Sequence, residues 1–190
     1  MRRYLTRLLA LAMLALPIAP AWADEYSDAK KVFLNAGESR EFFSKSYGYA
    51  LFPTVGKAGV GIGGAYGKGR VYVRGKRVGE TSVKQLTGGL QLGGQAYSQI
   101  VFFQNERAFR EFTRGDFEFG AEASAVAITA AAGAKGSTAG STIGVSGEQH
   151  HAKNIGKYRD GMATFTVAKG GLMYEASVGG QKFNYKPYRG

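Results

Sequence analysis

Five groups of side chains in this chain have types and spacings that bear on chemistry, and four of them lack what that chemistry needs. Gly59-Val60-Gly61-Ile62-Gly63-Gly64 matches G-x-G-x-x-G letter for letter. A dinucleotide fold uses such a loop to open a helix, with an acid about twenty residues further on. Here AYGKGRVYVRG follows, a strand pattern with glycine breakers, and Glu80 stands near the right distance without a parallel β-α-β context. The two histidines, His150 and His151, are adjacent. Neighbouring side chains in an extended segment diverge, so the pair reads as exposed loop residues and not as metal ligands. No G-x-S-x-G occurs, and Gly144-Val145-Ser146-Gly147 lacks the spacing of a nucleophile turn. Glu106, Glu111, Asp116, Glu118 and Glu122 cluster, but Arg107, Arg110 and Arg114 interleave with them. That mixture is the solvated face of a helix, not a general acid and base. No catalytic residue, metal site or cofactor is expected.

The fifth group is basic. The stretch FPTVGKAGVGIGGAYGKGRVYVRGKR, residues 52–77, carries six cations and no acid. Widening the window to 42–79 gives Lys45, Lys57, Lys68, Arg70, Arg74, Lys76 and Arg77, still without Asp or Glu. A sheet bearing this much unneutralised charge suits a polyanionic surface better than a catalytic cleft. Each Lys or Arg near an anionic membrane contributes about 1 kcal/mol, so four or five acting together give measurable adsorption. The competing use of the same charge is solubility, with cations scattered over the surface.

These side chains must be positioned by a chain that is exported. Arg2, Arg3 and Arg7 form a positive n-region, Leu8 to Leu16 is an apolar run too short to span a bilayer, and Ala21-Trp22-Ala23 is an A-x-A site. Residues 1–23 therefore read as a secretory signal peptide cut before Asp24, and the destination as the periplasm or the exterior. The remaining 167 residues are the size of one domain, and their net charge falls from +11 to +8 as three arginines leave. Cysteine is absent. That removes disulfides, thiol catalysis, sulfur metal sites and the acylated cysteine of a lipoprotein. Nucleic acid could use a basic face, but an exported protein seldom meets it, so no nucleic-acid partner is expected.

Periodicity then sets the elements. Tyr26, Ala29, Val32, Phe33 and Ala36 recur at three- and four-residue steps, flanked by Lys30 and Lys31, and predict an amphipathic helix over 24–36 that Gly37 ends. A second short helix over 40–46 carries Phe42 and Phe43. Two uses of these apolar residues fit the pattern: they cover a sheet as core, or part of the segment dips into a lipid interface. From Tyr49 the period becomes two, with Val60, Ile62 and Tyr66 opposite Gly59, Gly61 and Gly63, and Val71 and Val73 alternating with Arg70, Tyr72 and Arg74. Gly75-Lys76-Arg77 predicts a hairpin connection. Leu90 and Leu92 alternate with Gly89, Gln91 and Gly93, and Ile100 to Phe103 is a buried strand. Glycine along a strand face admits close approach of other groups. Asn105 caps a helix over 105–114 that Gly115 ends, with Glu106 and Arg110 an i,i+4 pair. A strand over 117–128, a Gly/Ser/Thr/Ala-rich loop over 133–151, and strands near 161–168, 171–178 and 181–186 complete the domain.

Five blocks, in order, carry a family resemblance. Tyr49 to Gly75, YALFPTVGKAGVGIGGAYGKGRVYVRG, resembles the opening of the SYLF domain, a lipid-binding module also known as an actin-regulator domain in yeast SH3 proteins. Residues 88–95, GGLQLGGQ, are similar to its central glycine strand. Residues 100–108, IVFFQNERA, resemble its apolar strand leading into an Asn-Glu helix. Residues 117–124, FEFGAEAS, and 171–180, GLMYEASVGG, resemble its next and closing strands. The resemblance implies a β-rich domain with N-terminal helical cover and no enzymatic activity. It also implies binding of acidic phospholipids through basic residues and an N-terminal amphipathic segment. Lys57 lies in the matching block, and Lys30 and Lys31 match by location. The signal peptide removes cytosolic actin as a natural partner.

Together these readings define an expectation. The fold is α+β and predominantly antiparallel: one glycine-rich, barrel-like sheet in a domain over 24–190, with short N-terminal helices over 24–46 and one internal helix. Its partner is an anionic phospholipid surface, met through Lys30, Lys31, Lys57, Lys68, Arg70, Arg74, Lys76 and Arg77, with Val32, Phe33, Phe42 and Phe43 as apolar contacts. The alternatives are an envelope structural protein with a protein partner and, third, a small outer-membrane barrel.

Overall fold

The computed structural model describes residues 22–60, 62–88, 93–121, 123, 125–128, 157–169 and 178–188. The elements are α1 (Trp22–Asn35), α2 (Gly37–Lys45), β1 (Gly48–Val60), β2 (Ile62–Val73), β3 (Lys76–Gly88), β4 (Gly93–Phe103), α3 (Glu106–Phe112), β5 (Val126–Ile128), β6 (Met162–Lys169) and β7 (Lys182–Pro187). The strands form one sheet in the order β5-β6-β4-β1-β2-β3-β7, antiparallel throughout except for the short β5, which runs parallel to β6. The α+β, predominantly antiparallel class read from the sequence is the one observed.

Each face of the sheet holds a core, because period-two alternation sends successive side chains to opposite sides. The inner face gathers Phe52, Val55, Val83, Val101, Phe103 and Phe183 with Ala108 and Phe112 of α3. The outer face gathers Tyr49, Leu51, Ile100, Phe102, Phe165 and Val167 with Ala29 and Phe33 of α1 and Phe42 of α2. β1 changes register at a bulge between Leu51 and Thr54, which serves both cores. Gly69 on β2 leaves the space this needs, since a Cβ there would lie 2.6 Å from the Phe52 ring.

The sheet curls. In strand order β4 and β7 are separated by β1, β2 and β3, yet Gln99 of β4 and Gln181, just before β7, exchange amide hydrogen bonds of 2.8 and 3.1 Å across the inner face. The Gln181 amide also donates to the Tyr97 hydroxyl at 3.2 Å. Both glutamines are fully buried, so each polar group must find its partner inside the protein. The stretch after α3 reinforces the curl. The Phe183 N–H donates to the Phe117 carbonyl (2.8 Å) and the Phe119 N–H to the Gln181 carbonyl (3.0 Å) at one flank. A few residues later Val126–Ile128 pairs with β6 at the other.

Local chemistry explains the boundaries. The Asn105 side chain accepts from the Ala108 N–H at 3.0 Å and starts α3, as read from the sequence; α3 stops at Phe112, before the predicted 114. Gly37 was expected to end the first helix; it opens α2 instead, with the break at Ala36 in extended conformation. The β2–β3 turn sits one residue earlier than expected: Arg74 and Gly75 occupy it with φ of 50° and 78°, and Val73 pairs with Lys76. Positive φ at both central positions is the two-residue hairpin geometry that matches strand twist. The predicted strand over 117–128 is reduced to β5, because this stretch crosses from one flank to the other. Residues 1–21, the 133–151 loop with both histidines, and most of the 171–178 strand lie outside the described residues.

Candidate functional site

The described helices cover only part of the outer face. α1 and α2 lie over β1, β4 and β6, where the outward side chains are large and apolar. Over β2, β3 and β7 the outward positions are Tyr66, Lys68 and Arg70; Glu80, Ser82, Lys84 and Leu86; and Lys182, Asn184 and Lys186. Their inward neighbours Ala65, Val71, Thr81, Val83, Gln85 and Phe183 are buried. The register aligns them in rows. Tyr66 stands opposite Lys84 and Lys84 opposite Lys182; Lys68 opposite Ser82 and Ser82 opposite Asn184; Arg70 opposite Glu80 and Glu80 opposite Lys186. Across these three strands there are seven cations and one acid, Glu80.

The charges are not equally available. Lys68, Lys84, Lys182 and Lys186 are exposed. The Lys182 ammonium lies 3.4 Å from the Glu118 carboxylate, both largely in solvent, a contact worth about 0–1 kcal/mol. Lys84 and Lys182 are like charges directly across a strand pair, an arrangement that by itself destabilises a sheet. The Arg70 guanidinium sits 3.9 Å from the centroid of the Tyr26 ring on α1, a cation–π contact. Burial pushes the Tyr26 hydroxyl pKa up, against the pull of Arg70. Arg77 is committed within the protein: it pairs with Glu80 and lies 4.8 Å from the centre of the Tyr188 ring.

The sequence-read positions therefore divide. Lys68 and Arg70 lie on the outer strip, and Arg74 and Lys76 are exposed at its β2–β3 turn, with Arg77 beside them. Lys30 approaches the Tyr49 ring at 6.0 Å, and Lys31 pairs with Asp28 at 3.3 Å, both on α1. Lys57 is a correction to the expected shared face. Past the β1 bulge it stands opposite Ala65 and Gln95, on the side that carries Val55, so it points away from Lys68 and Arg70. Among the apolar candidates, Phe33 and Phe42 are 0% and 8% exposed and Phe43 is half-buried against Tyr49 and Phe102, while Val32 is exposed. The aromatics thus take the first of their two uses, as sheet cover. Contact of Phe33 or Phe42 with lipid would require the helices to lift off, forfeiting about 1.5–3 kcal/mol per side chain.

Sequence reasoning missed Lys84, Lys182 and Lys186, and with them Tyr66 and Leu86 as a group. The signal was present as alternation: Lys182, Asn184 and Lys186 interleave with Phe183 and Tyr185. What alternation cannot give is that β7, a hundred residues downstream of β3, pairs with it.

Among the described residues nothing in this arrangement brings a nucleophile and base together. A cleft of about 330 Å³ between α2 and the approach to β6 is lined by Glu41, Phe42, Lys45, Gln104, Lys157 and Tyr158. There Glu41 and Lys45 satisfy each other at 2.7 Å, and the lysine lowers the carboxyl pKa by hydrogen bonding and charge. Among the described residues no cluster of three metal-ligating side chains occurs, and no helix is long and apolar enough to cross a membrane.

A curled sheet with an inner core, a helical cover on half its outer face and a cationic strip on the other half has the form of a binding module. Its family follows from comparison. The profile described as "Ysc84: Las17-binding protein actin regulator" matches residues 84–186, more than half of the chain, and the chain belongs to this family, the Ysc84/SYLF domain family. The family is generally a non-catalytic binding domain associated with lipid and actin. The matched span begins at Lys84 in β3, so four of the five resembling blocks fall inside it and the 49–75 block precedes it. The chain is also 26% identical over 155 residues to Beta cell expansion factor A of Aeromonas veronii, covering 80% of this chain and 51% of that protein. It spans about half the length of the curated relative it matches.

Proposed function

We propose that this protein is a non-enzymatic module that docks on acidic phospholipid at the cell envelope, and that the outer strip of β2, β3 and β7 is its docking face. The observation that carries this reading is the charge balance of the strip's outward rows, which hold Lys68, Arg70, Lys84, Lys182 and Lys186 against Glu80 alone. The reading of residues 1–23 as a secretory signal supports a periplasmic site of action, with the membrane surface rather than actin as the partner. The charged outward rows also weigh against the small outer-membrane barrel, which needs an apolar band facing lipid on every strand.

Purified protein should co-sediment with phosphatidylglycerol or cardiolipin vesicles at low salt and not with phosphatidylcholine vesicles, and the binding should weaken as ionic strength rises. The double substitution Lys84→Gln/Lys182→Gln should lower affinity about thirtyfold, from roughly 1 kcal/mol per lysine at the surface. Equal recovery with both vesicle types, or unchanged affinity in the double variant, would refute the assignment of this face.

A further inference from the structure

Charge brings a protein to a bilayer, but the depth at which it rests is set by apolar side chains, and their placement here is informative. Four large hydrophobic residues are exposed among the described residues: Val32 at 39%, Tyr66 at 48%, Leu86 at 86% and Tyr188 at 56%. Tyr188 lies against the Arg77 guanidinium, and Val32 is a single position on α1, whose neighbours Ala29 and Phe33 are buried on the sheet. Tyr66 and Leu86 are different. Both point outward at the end of the strip remote from the Arg74–Gly75 turn. Tyr66 stands directly opposite Lys84, and Leu86 follows Lys84 by two residues, opposite Gly64. A glycine opposite leaves the leucine without a cross-strand side chain to cover it. Glu80, the one acid of the three strands, is six residues back along β3, ~20 Å away at the usual rise per residue.

Resting on the lipid reading above, we infer that Leu86 and Tyr66 are the apolar contact with the bilayer. The end of the β2–β3 hairpin enters the headgroup–acyl boundary of an anionic membrane, with Lys68, Lys84 and Lys182 at the phosphate level. α1 and α2 remain seated on the sheet. This places the membrane contact on strands, away from the N-terminal amphipathic segment. The arrangement matches the amphipathic logic of an interface: apolar tips at depth, lysine stems reaching back to the charged layer.

The absence of cysteine in this chain makes the test direct. Leu86→Cys and Val32→Cys, each labelled with an environment-sensitive fluorophore, are mixed with phosphatidylglycerol-containing vesicles that carry a nitroxide on the upper acyl chain. The expected result is a blue shift and quenching at position 86, with neither at position 32. Quenching at position 32, with or without position 86, overturns the inference, because α1 then enters the lipid. Protein that pellets with vesicles while both labels stay unquenched also overturns it, and leaves the charge-driven docking intact. Unlabelled protein that fails to pellet at low salt overturns both readings. Independently of any label, Leu86→Ala should weaken vesicle binding roughly tenfold while far-ultraviolet circular dichroism and thermal midpoint stay at the parent values; unchanged binding overturns the inference.

Discussion

The two halves of the outer face are built on one continuous sheet and differ in what alternation sends outward. On β1, β4 and β6 the outward residues are Tyr49, Leu51, Ile100, Phe102, Phe165 and Val167, and two helices bury them. On β2, β3 and β7 the equivalent rows hold Lys68, Arg70, Glu80, Lys84, Lys182, Asn184 and Lys186, and beyond the Arg70–Tyr26 contact none of the described helices packs over them. Desolvating a row of lysines under a helix would cost far more than the contact returns. The side chains of the strands therefore decide where the described helical cover stops. Tyr72, and the Arg70–Tyr26 contact, mark the boundary between the halves.

That contrast breaks most sharply at Phe33. Phe33→Ala should lower unfolding stability by about 3–5 kcal/mol, measured by denaturant melts, whereas Lys84→Gln/Lys182→Gln should leave stability unchanged or slightly raised through relief of like-charge opposition. Comparable losses in the two variants would mean that the strip is structural and that the division into halves is wrong. A smaller effect sharpens the role of the inner face. Gln181→Leu leaves the Gln99 and Gln85 amides and the Tyr97 hydroxyl without their shared partner, and should cost about 1–3 kcal/mol. A loss confined to a few tenths would show that the interior amides are replaceable. A further effect appears only in alkali. Burial pushes the pKa of both Tyr49, beneath the helices, and Tyr97, inside the curl, up to about 12 from the ordinary 10.0. A phenol whose folded pKa is raised contributes stability that is complete below the unfolded value and is lost as pH rises through the folded one. The contribution of these two tyrosines should thus be flat up to about pH 10 and fall between there and about pH 12, with Tyr97→Phe flattening part of that fall.

Much of the scaffold was legible because it rests on local rules. The Asn105 cap, the Glu106–Arg110 pair, the two N-terminal helices and the alternation around Arg70 in β2 are statements about residues a few positions apart; Val60 and Ile62, read as one alternating run, instead end β1 and open β2 and pair across them. Lys68 and Arg70, two residues apart on β2, share a face for the same reason. Lys57 does not join them, because the Leu51–Thr54 bulge shifts register and turns the later half of β1 over; a bulge leaves little trace in composition beyond Phe52-Pro53. The lysines of β7 were missed because their partnership with β3 is a tertiary fact. Phe33 and Phe42 show the converse limit: an amphipathic stripe states that one side seeks an apolar neighbour, and only packing reveals that the neighbour is Phe102 and Phe165.

One feature of the scaffold reaches beyond binding. The short run from Phe117 to Ile128 is hydrogen-bonded to the β7 flank at its start and to the β6 flank at its end, while four strands lie between those flanks in the sheet. It acts as a hoop. Loosening either flank slackens the other, so amide protection in β6 and β7 will rise and fall in concert, and the domain will open as a whole rather than unzip from one side.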